Sequence, residues 1–392
     1  MKTASIVHPS LNRAGGAERY LLELVNVLQK AGYIVCLYTV DKTDWEKLGE
    51  IQGISTRPDK EIYRQEKRLE PSNLFSWIKA ASIYTWILVR AREESDLSIN
   101  NYGEVLPIIS DISIVHAVPV IAKNGNAYNI PLWDVLHPIF RYLHGALTKK
   151  TSKLIITNSR FNEKKVNAHY HTETKVVNPP IATASYYGEK KNGRILSIAR
   201  ISPNKNLQTI TQIANRSHRN RFIIAGKTSQ NSEKILRVLR EMRNIEVYIN
   251  PPRMSIIELM QHSSILLSTQ PDEAFGMAVV EAMSMGCIPV VYRDGGPWTD
   301  ILGETDGVYG YAYENAVEAT ERIEEILGDG ELRARLRENS IQRSKEFDSE
   351  KFGLKILKII EDFQYTRGED WLTKGYKGVR KIGEIKALSL RR

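Results

Sequence analysis

Cysteine is scarce in this chain. Cys36 and Cys287 are the only two in 392 residues, and each sits in an apolar run (YIVCLY, GCIPVV) where a thiol behaves as a small hydrophobe. That excludes a disulfide framework and a cysteine zinc site. Long apolar runs are missing too: the uncharged, helix-like apolar stretch at residues 80–89 has only ten residues, against the ~20 a membrane-spanning helix needs. Met1-Lys2 leads straight into a strand-like run with no leader pattern, so the expected location is the cytoplasm. There is no short-period repeat. Neither half opens with a strand followed by Gly-x-Gly-x-x-Gly and an acid at the next strand's end, which argues against an NAD-dependent oxidoreductase. The net charge of +9 favours anionic partners. Even so, no groove of interleaved basic and aromatic residues and no nucleic-acid reading motif is visible, so nucleic acid is not an expected partner and a basic nucleic-acid-binding protein is the remote alternative.

What is present is an ordinary globular composition, 42% apolar and 26% charged, long enough for two domains. Short apolar runs alternate with helical patterns, the mark of βα units and parallel sheets. The first half reads as strands at 4–8, 33–40, 97–100, 112–115 and 154–157, with a helix at 17–30 after the Gly15-Gly16 turn. Aromatic, basic-rich helices are expected at 61–92 and 133–150. The second half restarts with a strand at 194–199, a turn at 201–205 and a helix to about 215, then strands at 222–225, 245–248, 265–268 and 288–291. The helices at 316–327, 331–347 and 349–363 follow. The fold class is therefore α/β: two Rossmann-like, doubly wound parallel sheets facing across a cleft, with ligands at the carboxyl ends of the strands. The expected divisions are an N-terminal acceptor-binding domain at 1–182, a nucleotide-sugar-binding domain at 183–347, a C-terminal helix at 348–363 packing back on the N-terminal domain, and a basic tail at 364–392. That tail holds eight basic residues against three acids and reads either as an appendage for anionic lipid or another subunit, or as a solvated tail.

Two constellations carry chemistry. The run DEAFGMAVVEAM at 272–283 follows the strand at 265–268 and becomes a helix near Phe275, apolar on all sides apart from Glu281. A carboxylate there requires hydrogen-bonding partners, and a ribose diol would serve. Glu273 precedes the helix, and the N–H groups of Phe275, Gly276 and Met277 form a helix N-terminus suited to a phosphate. The plain alternative makes Glu273 a capping acid and Glu281 a satisfied core residue. Arg200, ending the strand at 194–199, and Lys205, opening the next helix, place two cations at one strand edge, where they can neutralise a diphosphate leaving group. A solvated basic loop is the competing reading.

Arg200-x4-Lys205 with Glu273-x7-Glu281 resembles the paired signature of glycosyltransferase family 4, retaining enzymes of the GT-B fold, and Gly15-Gly16-Ala17-Glu18 resembles that family's glycine loop. The resemblance spans about residues 2–360. It implies that Arg200 and Lys205 bind the donor's diphosphate, Glu281 the ribose and Glu273 the transferred sugar, with Gly15 and Gly16 admitting a ligand closely. His116, in HAVP, stands where the family places a histidine near the sugar's reacting face; from spacing alone His8 is an equal claimant, and either can be a satisfied core histidine. No metal and no cofactor are implied, so Asp272-Glu273 is not read as a metal motif. GCIPVV at 286–291 and GGPWTDI at 295–301 are similar to the donor site of GDP-mannose-dependent mannosyltransferases of lipid-linked oligosaccharide assembly. The implied reaction is transfer of a hexose, mannose favoured, from a nucleoside-diphosphate sugar (GDP-mannose or a UDP-sugar) to a glycan or lipid-linked acceptor. The aromatic and basic helices at 74–86 and 133–153 suit an anionic membrane surface, or equally their own sheet. A UDP- or ADP-glucose-dependent GT-B glucosyltransferase, or a nucleotide-sugar epimerase, is the nearer alternative.

Overall fold

The computed structural model describes residues 2–67, 74–104, 109–117, 154–170, 173–181, 192–202, 205–228 and 232–366, with 137, 138 and 142 as isolated positions. Most of the helix expected at 133–150, nearly all of the linker at 182–192, the Pro203-Asn204 turn and the tail beyond 366 lie outside these residues. The chain forms two compact units: Met1–Asn158 with Asn162–Val177 and Glu350–Arg392, and Ser159–Phe161 with Asn178–Ser349.

In the first unit the strands are β1 (Thr3–His8), β2 (Ile34–Asp41), β3 (Lys60–Gln65), β4 (Leu97–Asn100), β5 (Ile112–Val115), β6 (Leu154–Thr157) and β7 (Thr174–Val176). They align in the order β3-β2-β1-β4-β5-β6-β7, every neighbouring pair parallel. Its helices are α1 (Gly16–Lys30), α2 (Trp45–Gln52), α3 (Leu74–Glu93) and α4 (Arg160–Tyr170), the last starting in the other unit. The second unit has β8 (Ile195–Ile198), β9 (Phe222–Gly226), β10 (Ile245–Ile249), β11 (Ile265–Ser268), β12 (Ile288–Tyr292) and β13 (Tyr311–Tyr313) in the parallel order β10-β9-β8-β11-β12-β13. Its helices are α5 (Gln208–Arg216), α6 (Glu233–Glu241), α7 (Arg253–His262), α8 (Met277–Ser284), α9 (Ala316–Gly328) and α10 (Gly330–Ser344); α11 (Ser349–Thr366) closes the described chain.

Both sheets are doubly wound, as the alternating pattern of the sequence predicts. Winding reverses between β1 and β4 in one sheet and between β8 and β11 in the other, and in such sheets the crevice outside the carboxyl ends at the reversal is where ligands bind. The central strands are near-continuous apolar runs because both faces are covered. Helix α1 buries Tyr20, Leu21, Leu24, Val25 and Leu28, a stripe at helical spacing. Against it lie Phe352, Ile356 and Ile360 of α11, with the Phe352 ring edge-on to Tyr20 at 4.9 Å.

The helix expected at 61–92 is corrected: residues 60–65 form the edge strand β3, and among the described residues a helix runs from Leu74 to Glu93. The mixture of aromatic and basic residues masked a strand whose partner β2 holds it in register from Cys36↔Lys60 to Asp41↔Gln65. Its exposed Lys60 and Arg64 suit a sheet edge. Strands β7 and β13 and helix α2 were not expected from the sequence.

Candidate active site

At the winding reversal of the second unit, β8 delivers Arg200 and β11 delivers the loop from Thr269 to Gly276. Arg200 is exposed. Lys205 does not open the next helix as expected; it lies three residues before α5, in a short turn pinned by Asn206. The Asn206 side chain donates to the Thr269 carbonyl at 3.0 Å, and the Thr269 hydroxyl donates to the Lys205 carbonyl at 3.4 Å. This cross-tie brings the Lys205 ammonium onto Gln270 and within 3.6 Å of Glu273 Oε2. Two residues 68 apart in sequence thus meet because β8 and β11 are neighbours in the sheet.

The shape of the Glu273 loop is fixed by close backbone packing. The Gly296 N–H donates to the Glu273 carbonyl at 2.8 Å. A Cβ on Gly295 would lie 2.7 Å from that carbonyl oxygen, and one on Gly296 only 2.5 Å from the Phe275 Cα. The Gly-Gly pair of GGPWTDI is therefore required by the backbone it covers. Helix α8 starts at Met277 rather than near Phe275, with Gly276 as its N-cap at φ +91°. The Phe275 side chain is buried against Phe347, ring centroids 5.4 Å apart, which leaves its backbone N–H as the group expected at the anion site. Gly276 and Met277 do stand at the helix start.

Glu281 is buried in α8, and its partner was not foreseen. Arg253, the first residue of α7, donates through Nη1 and Nη2 to Glu281 Oε2 and Oε1, both at 2.9 Å. Glu281 therefore already has a partner, as the satisfied-core reading requires. A carboxylate offers about four acceptor positions, more than the two that the Arg253 guanidinium takes. Nothing in the sequence couples Arg253 to Glu281, because the pair is made by the packing of two helices 28 positions apart.

Gly15, Gly16 and His116 belong to the first unit. The Gly15 N–H donates to Glu18 Oε2 at 2.8 Å, and its carbonyl accepts from Gln52 at 2.9 Å. Glu18 Oε1 lies 3.3 Å from His8 Nε2. His116 follows β5: its N–H donates to Glu104 Oε1 at 2.7 Å, its Nε2 lies 3.0 Å from Asn101 Oδ1, and its carbonyl accepts from Asn158 and Asn162, both at 3.0 Å. The Tyr20 ring stands edge-on to it at 5.0 Å. The two histidines weighed as rivals thus belong to one network. Desolvation, with the nearby His8 adding to it, pushes His116 down to about 3, so its ring is neutral at physiological pH. Burial raises Glu104 to about 7. Burial also pushes Glu18 up, but the hydrogen bond and charge of His8 and the backbone N–H groups outweigh it and hold this acid below its ordinary value.

Helix α3 leaves Phe75, Ile78, Trp86 and Val89 exposed along one side, with Phe75 79% accessible, while Tyr84, Ile87, Leu88 and Ala91 are buried. The guanidinium groups of Arg64 and Arg90 lie 4.4 Å and 5.2 Å from the Trp86 ring centroid. Among the described residues no helix is long and apolar enough to cross a membrane.

Residues 185–343 match the family described as Glycosyl transferases group 1. The human GDP-Man:Man(3)GlcNAc(2)-PP-Dol alpha-1,2-mannosyltransferase is 23% identical over 422 aligned positions, covering 90% of this chain and 85% of that protein. The Dictyostelium discoideum protein of the same name is 28% identical, over 44% of this chain and 38% of its own length. Among solved structures, Anabaena HepE in complex with UDP and glucose superposes with a TM-score of 0.68 at 16% identity, covering 92% of this chain and all of that one, a likeness of fold. The chain is thus a glycosyltransferase of the GT-B fold whose residues 185–343 match the group 1 glycosyltransferases, and it is similar to the mannosyltransferases of lipid-linked oligosaccharide assembly.

Proposed function

We propose that the protein transfers mannose from GDP-mannose to a hydroxyl of a lipid-linked glycan, with retention of anomeric configuration, at the surface of an anionic membrane. The observation that carries this reading is the gathering of Lys205, Glu273 and the Gly276 helix start where β8 and β11 diverge, beside the Arg253–Glu281 pair. The names of the mannosyltransferase relatives favour mannose and a lipid-linked acceptor.

In this reading Arg200, Lys205 and the N-terminus of α8 take the diphosphate, so the charge that develops on the departing oxygen falls on groups already in place. Glu281 receives the ribose diol and Glu273 a hydroxyl pair of the sugar. The bond from the anomeric carbon to the diphosphate oxygen breaks while the bond to the acceptor oxygen forms on the same face. The acceptor's proton passes to the departing phosphate. With two fixed cations at the diphosphate, the reaction is proposed to run without a metal or cofactor. The exposed stripe of α3, with Arg64 and Arg90 beside it, is the proposed contact with anionic lipid. The proposed location is peripheral, on the cytoplasmic membrane face.

A second reading, a UDP-sugar donor, is favoured by one observation: the HepE structure of similar fold holds UDP and glucose. Substitution tests the donor site under both. Lys205→Ala is expected to reduce kcat/KM by about 100-fold or more while circular dichroism stays unchanged. A folded variant with full transferase activity sinks the assignment.

A further inference from the structure

Asn101 follows β4 directly and is fully buried at the winding reversal of the first sheet. Its backbone N–H donates to the Val7 carbonyl at 2.9 Å, which locks it beside the end of β1. Its side chain has three partners on three elements. Nδ2 lies 3.1 Å from the carbonyl oxygen of Ala17 in α1 and 3.2 Å from His8 Nδ1, and Oδ1 lies 3.0 Å from His116 Nε2.

A carbonyl oxygen can only accept, so the atom facing Ala17 must be the amide nitrogen. This fixes the amide's orientation and leaves Oδ1, also an acceptor, facing the His116 ring. His116 Nε2 must then carry a hydrogen. Because the ring is neutral, its Nδ1 is the bare nitrogen, and among the described residues Nδ1 has no hydrogen bond. Glu18, a carboxylate, accepts from His8 Nε2, and His8 Nδ1 lies 3.2 Å from both the side-chain nitrogen and the backbone carbonyl oxygen of Asn101. The acid that ties down the Gly15 N–H is thereby linked through His8 and Asn101 to His116.

We infer that Asn101 is a positioning residue that holds His116 in the Nε2–H tautomer, making His116 an acceptor, rather than a proton donor, toward a hydroxyl of the transferred sugar. This rests on the reading of His116 as the residue at the sugar. The two can fail separately.

The test is nitrogen-15 NMR of the full chain labelled in its eight histidines, with His116→Gln and His8→Gln used to assign signals. Wild-type His116 is expected to show a pyrrole-type Nε2 and a pyridine-type Nδ1 at pH 7.5, before any ligand is added. Asn101→Asp, which keeps an acceptor oxygen at the ring, retains that pattern. Asn101→Ala, which removes it, mixes the tautomers and lowers kcat by about tenfold, the size of one buried hydrogen bond lost in the transition state, with donor KM little changed. A wild-type His116 with the hydrogen on Nδ1 overturns the inference, whatever the variants do. So does an unchanged tautomer in a folded Asn101→Ala protein. The expected tautomer combined with full activity of His116→Gln would leave the network standing and remove His116 from the sugar site.

Discussion

The ion pair of Arg253 and Glu281 sets the clearest expectations for single residues. Glu281 is almost wholly buried and Arg253 three-quarters so, and removing one partner of such a pair leaves the other uncompensated. Glu281→Ala should therefore lower stability by about 3–5 kcal/mol, whereas Glu281→Gln, which still accepts from Arg253, should lose much less. Urea denaturation of both variants separates them, and equal losses would mean that the pair adds little to the fold. His116 makes a pH-dependent contribution. Its folded-state value of about 3 lies below its ordinary 6.5, so between these the unfolded chain binds the extra proton and stability falls as pH falls. The slope is at most about 1.4 kcal/mol per pH unit for one proton. Glu104 acts oppositely. Raised from 4.5 to about 7, it erodes stability as pH rises through that interval, so the two offset each other where the windows overlap. His116→Gln should remove the acid-side loss: its melting temperature, relative to wild type, should climb from pH 6.5 to pH 4. A parallel pH profile would contradict the assignment. Arg200, Lys205, Glu273 and Glu281 were legible as candidates because their spacing follows one strand end and one helix. Arg253 and Asn101 were not, because each acquires its partners only when distant elements pack. His8 and His116 looked like rivals for the same reason.

Among the elements, α8 depends most on a single backbone conformation. Gly276 sits at φ +91°, and a Cβ there would lie 2.8 Å from Pro297 Cγ. Gly276→Ala should destabilise the protein by about 1–3 kcal/mol and weaken donor binding, since the helix start would have to shift. Calorimetry and donor titration check both parts, and wild-type values in both would show that the cap is not needed. The start of this helix, expected near Phe275, falls at Met277 with Gly276 as its cap, a boundary that the apolar pattern running through Phe275 does not mark. Position β3 failed differently. Lys60 and Arg64 are exposed and the four other side chains partly buried, a pattern that a helix rich in Tyr and Arg also permits, and only pairing with β2 decides between them. The central strands were read correctly because burial on both faces makes them short apolar runs with little else to be.

Across the whole molecule, two doubly wound sheets follow from the repeated alternation of strand and helix, and the charge of +9 finds a use if one surface meets anionic lipid. Liposomes rich in anionic lipid should sediment the protein at low salt. Replacing Phe75 and Ile78 with Glu should weaken this about tenfold without changing turnover of a soluble acceptor analogue; sedimentation that is unaffected would move the membrane contact elsewhere. The identity of donor and acceptor was the least legible property, since no residue pattern in the sequence reads a nucleobase. The central claim is that this fold binds a nucleoside-diphosphate mannose through Lys205. Thermal unfolding with GDP-mannose, UDP-glucose, UDP-N-acetylglucosamine and ADP-glucose tests it most directly, because a ligand at about 100 times its Kd adds about 2.7 kcal/mol to the folded state. GDP-mannose is predicted to give the largest rise in melting temperature in the wild type and almost none in Lys205→Ala. An equal rise in both proteins, or none with any of the four donors, would contradict it.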